Sequence, residues 1–196
     1  DEARLREVFG LLVHAHYRTT PGDLQRLLDA PNLAVHVALM ANRVVGATLV
    51  SREGGLPREL CERLAKGSER VHGHALADTL ISHSGHVDAG GLTMVRSVRI
   101  AVHPALRMRG IARALVEHVH ASYTPDLFGT LFGATPELLT FRRSVGYELA
   151  RVGMSRGRRS GEPAAIMLRP VSPRAQHLVE ALRVELARNL PLQCEL

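Results

Sequence analysis

Apolar positions at the start of the chain follow the helical interval. Leu5, Val8, Phe9, Leu12 and Ala15 recur at i, i+3 and i+4, which predicts a helix over residues 2–17 with one buried face. Thr20-Pro21-Gly22-Asp23 has the order of a second helix start: a hydroxyl cap, a proline in the first turn and an acid at the positive end of the dipole. The interval then shortens to two. Val35, Val37 and Leu39 alternate, "ANR" supplies a turn and Val44 to Val50 resumes the pattern, so a hairpin is expected. Residues 57–66 read as a short helix, Leu76 to Ile81 as a third strand and the polar, glycine-rich "SHSGHVDAGG" as a loop. Val95 to Val102 reads as a strand, Ile111 to Ala121 as a helix and Asp126 to Phe132 as a strand. Thr135-Pro136 caps a further helix that Gly146 should end. Tyr147–Val152 and Ala164–Arg169 form a closing strand pair. Ser172-Pro173 opens a last helix to about Leu190, with Ala175, Leu178, Val179, Leu182 and Leu186 on one side.

This order of elements implies an α/β or α+β domain with a mixed, mostly antiparallel central sheet, flanking helices and a C-terminal helix. A length of 196 residues suits one domain, expected over 1–171, with a helical tail over 172–196. A hydrophobic content of 45% is that of a soluble globular protein. There is no apolar run of about 18 residues, and "DEARLREVF" is charged, so neither a membrane span nor a signal peptide is expected and the chain reads as cytoplasmic. Cys61 and Cys194 lie far apart and match no metal-ligand spacing, so no metal is expected. The net charge is +6, and Lys66 is the only lysine, so the excess is almost wholly arginine and suits an anionic partner.

One stretch carries more chemistry than the rest. In "SVRIAVHPALRMRGIARAL" a β-branched strand runs into Arg107-Met108-Arg109-Gly110-Ile111-Ala112 and a helix start. That order presents a row of backbone N–H groups at a helix N-terminus, where phosphate oxygens bind. Gly110 and the small Ala112 permit close approach, and Arg107, Arg109 and Arg113 add charge.

The strand, "VHP", R-x-x-G-x-A and helix resemble the acyl-CoA motif of the GNAT acetyltransferase superfamily. The resemblance narrows with "HAHYRTTPGDLQRLLDAPNL", "GHALADTLISH", "VRSVRIAVHP", "LFGATPELLTFRRSVGYELARVG" and "SGEPAAIMLRPVS", which in this order resemble the acetyltransferase part of bacterial tRNA(Met) cytidine acetyltransferases. The resemblance implies a GNAT fold and acetyl transfer from acetyl-CoA to the N4 amine of the wobble cytidine of elongator tRNA(Met), giving N4-acetylcytidine. It implies that Ile100, Ala101 and Val102 pair with the pantetheine arm and that Arg107 to Arg113 (Arg107, Met108, Arg109, Gly110, Ile111, Ala112 and Arg113) hold the pyrophosphate. Glu137 in "TPELLTF" matches an acidic contact of the family, or is simply an acid in a first helical turn. Seven positions on, where the family often carries a basic residue, stands Ser144.

The acceptor amine is conjugated with its ring and weakly nucleophilic, so positioning and a proton acceptor should supply the rate. Backbone N–H groups around Ala101 to His103 are the expected oxyanion donors. His16, in "HAHYRTTP", is the candidate general base, and His103 is the other histidine near the cofactor strand. Many GNAT enzymes place a tyrosine acid four residues before the glycine that ends the last helix; here that residue is Arg142. Six arginines, Arg142, Arg143, Arg151, Arg156, Arg158 and Arg159, face one acid, Glu148, over residues 142–159. A solvated loop or RNA phosphate contacts would account for them, and with an RNA substrate implied, Arg142, Arg143, Arg156, Arg158 and Arg159 are the expected RNA contacts.

An alternative is a GNAT enzyme for a small amine or a protein N-terminus, and a third is a non-catalytic RNA-binding module. The resemblance implies a larger protein with an ATP-hydrolysing, helicase-like module. This chain has no G-x-x-x-x-G-K-[ST] phosphate loop and begins without methionine, so it is expected to be a fragment or stand-alone relative that binds acetyl-CoA and hydrolyses no ATP.

Overall fold

The computed structural model describes residues 2–15, 22, 30–156 and 161–194. In chain order its elements are α1 (Glu2–Ala15), β1 (Leu33–Met40), β2 (Arg43–Gly54), α2 (Arg58–Ala65), α3 (Ala75–Ser82), β3 (Thr93–Val102), α4 (Ile111–Ser122), β4 (Leu127–Gly133), α5 (Pro136–Ser144), β5 (Glu148–Arg156), β6 (Pro163–Pro170) and α6 (Pro173–Cys194). The strands follow the order β1-β2-β3-β4-β6-β5. The pairs β1–β2, β4–β6 and β5–β6 are antiparallel. Neighbours β3 and β4 are joined through α4, the crossover that parallel strands need, so the sheet is mixed as expected. Two compact units share these elements, residues 1–51 with 97–123 and residues 52–96 with 124–196.

In the first unit, Val8, Leu11 and Leu12 of α1 form an apolar cluster with Val44, Ala47 and Ala101. The expected hairpin is present. Its turn places Ala41 and Asn42 at φ 47° and 62°, the left-handed pair whose twist matches the flanking strands. Helix α1 fastens that turn. Arg4 Nη2 donates to Asn42 Oδ1 at 2.9 Å, while Glu7 accepts from the Val44 N–H at 2.9 Å and pairs with Arg43 at 2.7 Å. Helix α4 meets β1 at His36, whose Nε2 is 3.0 Å from the Tyr123 hydroxyl and whose ring meets His118 edge-on at 5.2 Å. The second helix start, at Thr20, lies outside the described residues.

In the second unit, Leu76, Leu80, Leu92, Leu127, Ile166 and Leu168 pack with Ala175, Val179 and Leu182 of α6, so the C-terminal helix is part of this core. The strand expected at Leu76 to Ile81 is instead helix α3. Its buried positions, Leu76, Ala77, Leu80 and Ile81, fall at i, i+1, i+4 and i+5, a helical face interrupted by the polar pair Asp78 and Thr79, in a segment too short for the period to declare itself. His74 at its N-cap makes no side-chain cap, so no local signal marks the start. Glu53, a buried carboxylate on β2, caps it from a distance by accepting from the Leu76 N–H at 2.7 Å and from Arg96 Nε. Within the segment expected as a loop, Val87–Gly91 forms a 3-10 turn. Helix α5 begins as expected, with the Thr135 hydroxyl accepting from the Leu138 N–H, and ends at Ser144, two residues before Gly146.

Candidate functional site

The expected cofactor turn lies within the first unit and is built from β3 outward. Ala101 is buried, and Ile100 and Val102 are half-buried. At the strand end the His103 N–H donates to the Val45 carbonyl at 2.9 Å. That bond removes His103 from the expected oxyanion donors, because successive strand N–H groups point to opposite edges and the Val102 N–H therefore faces away from β2. The His103 imidazole caps the 3-10 turn Pro104–Leu106, its Nδ1 accepting from the Ala105 N–H at 3.3 Å.

From there the backbone reverses through Arg107 to Gly110. Met108 has φ 60° and is fully exposed, and Gly110 has φ 80° as the N-cap of α4. For a residue with a Cβ that conformation costs about 1–2 kcal/mol, a strain that Met108 bears and glycine at 110 avoids. A Cβ at Gly110 would meet nothing within 4 Å, which leaves the helix end open to an incoming ligand. Ala114 N–H is the first to bond within the helix, to the Gly110 carbonyl at 2.9 Å. The N–H groups of Ile111 and Ala112 precede it in the first turn, where an α-helix supplies no intrahelical acceptor. Arg107, Arg109 and Arg113 are exposed around them, Arg113 also lying 3.7 Å from Glu117. Donors, dipole and guanidinium groups together fit a pyrophosphate.

Gly46 is the residue that sequence reasoning missed here. A Cβ on it would lie 2.9 Å from Ile111 Cγ2, 3.1 Å from Leu115 Cδ1 and 3.4 Å from the Ala101 carbonyl oxygen. Hydrogen at this position lets α4 start hard against the sheet and so fixes where its N–H groups stand. A glycine inside the alternating run Val44 to Val50 was the signal available.

The other expected site residues belong to the second unit or lie outside the described residues. Glu137 is exposed in the first turn of α5, its carboxyl held below the usual range by its own backbone N–H and the Thr135 hydroxyl. Ser144 donates its hydroxyl to the Phe141 carbonyl at 2.7 Å. Arg142 requires a correction. It is 6% exposed, with its guanidinium 5.6 Å from the Phe141 ring centre and 5.5 Å from that of Tyr147, and burial pulls its pKa down. A guanidinium so enclosed is not a surface contact for phosphate. Arg143 is exposed, and Arg151 donates to the His83 carbonyl and to Ser84 Oγ. Arg156 ends β5, opposite Pro163. His16, Arg158 and Arg159 lie outside the described residues. Among the described residues no group of three His, Cys, Asp or Glu could hold a metal ion, and no helix is long and apolar enough to cross a membrane.

The model of the family GNAT acetyltransferase 2 matches residues 7–125, more than half of the chain and the whole of the cofactor turn. The chain belongs to the GNAT acetyltransferase 2 family. Several relatives carry the name tRNA(Met) cytidine acetyltransferase TmcA. The protein of Nitrosococcus halophilus is 41% identical over 196 residues, covering 98% of this chain and 26% of its own. That of Haloferax volcanii is 42% identical over 180 residues, covering 91% and 24%. This GNAT chain thus spans about a quarter of the length of the curated relatives it matches. Among solved structures it is similar to the ribosomal-protein-S18-alanine N-acetyltransferase of Escherichia coli, at TM-score 0.58 and 13% identity over 88% of this chain and 90% of that one. It is also similar to NAA60 of Arabidopsis thaliana, at TM-score 0.59 and 12% identity over 88% and 95%. Likenesses at that identity are likenesses of fold.

Proposed function

We propose that this chain is the acetyl-transferring part of a tRNA(Met) cytidine acetyltransferase, moving acetyl from acetyl-CoA to the N4 amine of the wobble cytidine of elongator tRNA(Met) in the cytoplasm. The observation that carries the reading is the 41% identity along 98% of the chain to a relative of that name. The geometry of Arg107 to Arg113 supports it from the cofactor side.

In this reading the backbone from Arg107 to Arg113, with the Arg107, Arg109 and Arg113 side chains, grips the pyrophosphate, and the β3 backbone at Ile100 to Val102 holds the pantetheine arm. The Val102 N–H donates to the oxygen that gains charge as the amine attacks the thioester carbon. His16 takes the amine proton. Arg142 stands where many family members carry a tyrosine acid, so the thiolate leaves either beside this buried cation or protonated by water. Glu137 contacts the cofactor, while Arg143, Arg156, Arg158 and Arg159 contact RNA phosphates. We assign the ATP-hydrolysing module to the part of the relatives that this chain does not match.

The test is mass spectrometry of nucleosides from elongator tRNA(Met) after incubation of the chain with acetyl-CoA, with and without ATP. N4-acetylcytidine at modest yield, unchanged by ATP and lowered by His16→Ala without loss of acetyl-CoA affinity, is the expected result. No acetylcytidine, together with acetylation of a polyamine or a peptide N-terminus, would overturn the reading in favour of an amine acetyltransferase.

A further inference from the structure

The second unit contains a cleft of about 490 Å³ between the 3-10 turn Val87–Gly91 and the N-terminal half of α6. Its volume lies within the roughly 300–1,000 Å³ of small-ligand pockets. None of its lining residues belongs to the cofactor turn. The floor is apolar, made by the buried Ala89 and Leu92 with the half-buried Leu178. Arg174, His177, Leu178 and Ala181 line the α6 wall and follow one another at i, i+3, i+4 and i+7, a single helical face. Arg174 and His177 are exposed. Of the acids, Asp88 lines the cleft and pairs with Arg58 at 2.9 Å, Glu185 is 3.1 Å from His86, and Asp126, bonded to Thr93 and Ser172, lies near Arg174.

We propose that this cleft is a binding site for one unstacked nucleotide of the RNA substrate, a reading that rests on the RNA-acetylating function proposed above. The base lies over Leu92 and Leu178. The imidazole of His177 and the guanidinium of Arg174 offer the planar groups on which single-stranded bases stack, and Arg174 also neutralises a flanking phosphate. Chemistry favours this occupant: the chain carries +6, and the α6 wall sets one guanidinium and one imidazole beside an apolar floor. A sequence scan could not find the site, because its two walls are about 90 residues apart in the chain and neither carries a motif.

The test uses fluorescence anisotropy of labelled elongator tRNA(Met) with the whole chain, over a range of salt. Arg174→Ala, His177→Ala and Ala181→Trp, the last filling the cleft, should each weaken binding by about 5- to 100-fold, the loss expected for one stacked base. Arg174→Ala should also lower the slope of log affinity against log salt by about 0.7, one single-strand phosphate contact. Acetyl-CoA affinity by calorimetry should stay at the wild-type value in all three, which shows that they fold. Arg188→Ala removes an exposed charge from the same helix outside the cleft and should change tRNA affinity less than twofold. Wild-type tRNA affinity in Ala181→Trp, the result if the cleft instead receives a protein segment, overturns the site. So does an Arg174→Ala effect no larger than that of Arg188→Ala. Acetylcytidine from the same reactions keeps the two readings apart. If it forms and the variants bind tRNA normally, the site fails and the reaction stands; if it never forms but the variants lose tRNA, the reaction fails and the site stands.

Discussion

Gly46→Ala tests whether the packing of α4 sets the cofactor turn. The added methyl would sit 2.9 Å from Ile111 Cγ2 and 3.1 Å from Leu115 Cδ1, well inside the carbon–carbon optimum of about 3.5–4.0 Å. Leu115 can turn its Cδ1 aside, but Ile111 is β-branched and stiff at χ1 within a helix, so its Cγ2 yields only if the helix moves. Two opposed contributions decide the sign. Removing a glycine restricts the unfolded chain and favours folding by about 0.4–1 kcal/mol. Overpacking a close interface costs about 1–3 kcal/mol. The net is a destabilisation of about 1–2 kcal/mol, which for this size of domain lowers the melting temperature by roughly 2–8 °C. Because α4 has to shift by tenths of an ångström at its first residue, its N–H donors move with it, and acetyl-CoA should bind less tightly. Thermal unfolding and calorimetry on Gly46→Ala, Ile111→Ala and the double variant separate the steps. Ile111→Ala deletes the clashing methyl, so the double variant should be more stable than the sum of the singles predicts. A Gly46→Ala protein that melts at or above wild type and binds acetyl-CoA equally well would refute the argument, as would strict additivity.

Two further outcomes follow from the same structure. Gly110→Glu should abolish acetyl-CoA binding by placing a carboxylate among the pyrophosphate donors, while Gly110→Ala, which meets no neighbour and bears only the left-handed backbone cost of about 1–2 kcal/mol, should retain measurable affinity by calorimetry; equal affinity in all three proteins would remove the turn as the anchor. Asp126 accepts from the Ser172 hydroxyl and, at 2.9 Å each, from the N–H and hydroxyl of Thr93, with Arg174 nearby, and these hold its carboxyl below the usual range. A depressed folded pKa contributes stability that is complete above the unfolded value near 3.9 and is lost as pH falls through the folded one. Asp126→Asn should therefore lower stability at neutral pH, and the gap should begin to close only below about pH 4 and vanish once pH has fallen through the folded pKa in denaturant titrations; a gap independent of pH would exclude the mechanism.

The parts of this protein governed by neighbours in sequence were legible without coordinates. The buried face of α1, the hairpin, the Thr135 cap and the strand-turn-helix at Gly110 all depend on residues within a few positions of one another. Where a distant group decides, the reading went astray. Helix α3 takes its N-terminal acceptor from Glu53, more than 20 residues earlier, so nothing beside Leu76 announced a helix. Arg142 sits in a run of basic residues that reads as surface, yet the fold turns its guanidinium in between Phe141 and Tyr147. Gly46 was visible as a letter, but its purpose depends on a helix that starts 65 residues later.

The turn from His103 to Gly110 also bears on how quickly and firmly a nucleotide can be captured. Its first half, to Arg107, is held by backbone bonds, the His103 N–H on Val45 of β2, the Leu106 N–H on His103 at 2.8 Å and the Arg107 N–H on Pro104, and its end by the Ala114 N–H on Gly110. Ordering a free loop costs about 1–2 kcal/mol of backbone entropy per residue, a sum that across such a segment would cancel much of a micromolar affinity. A segment ordered beforehand meets most of that cost during folding, once, rather than at each turnover. On the function proposed above, capture there is closer to a key entering a cut lock than to a hand closing, and the cofactor's binding enthalpy is left to hold the thioester in place.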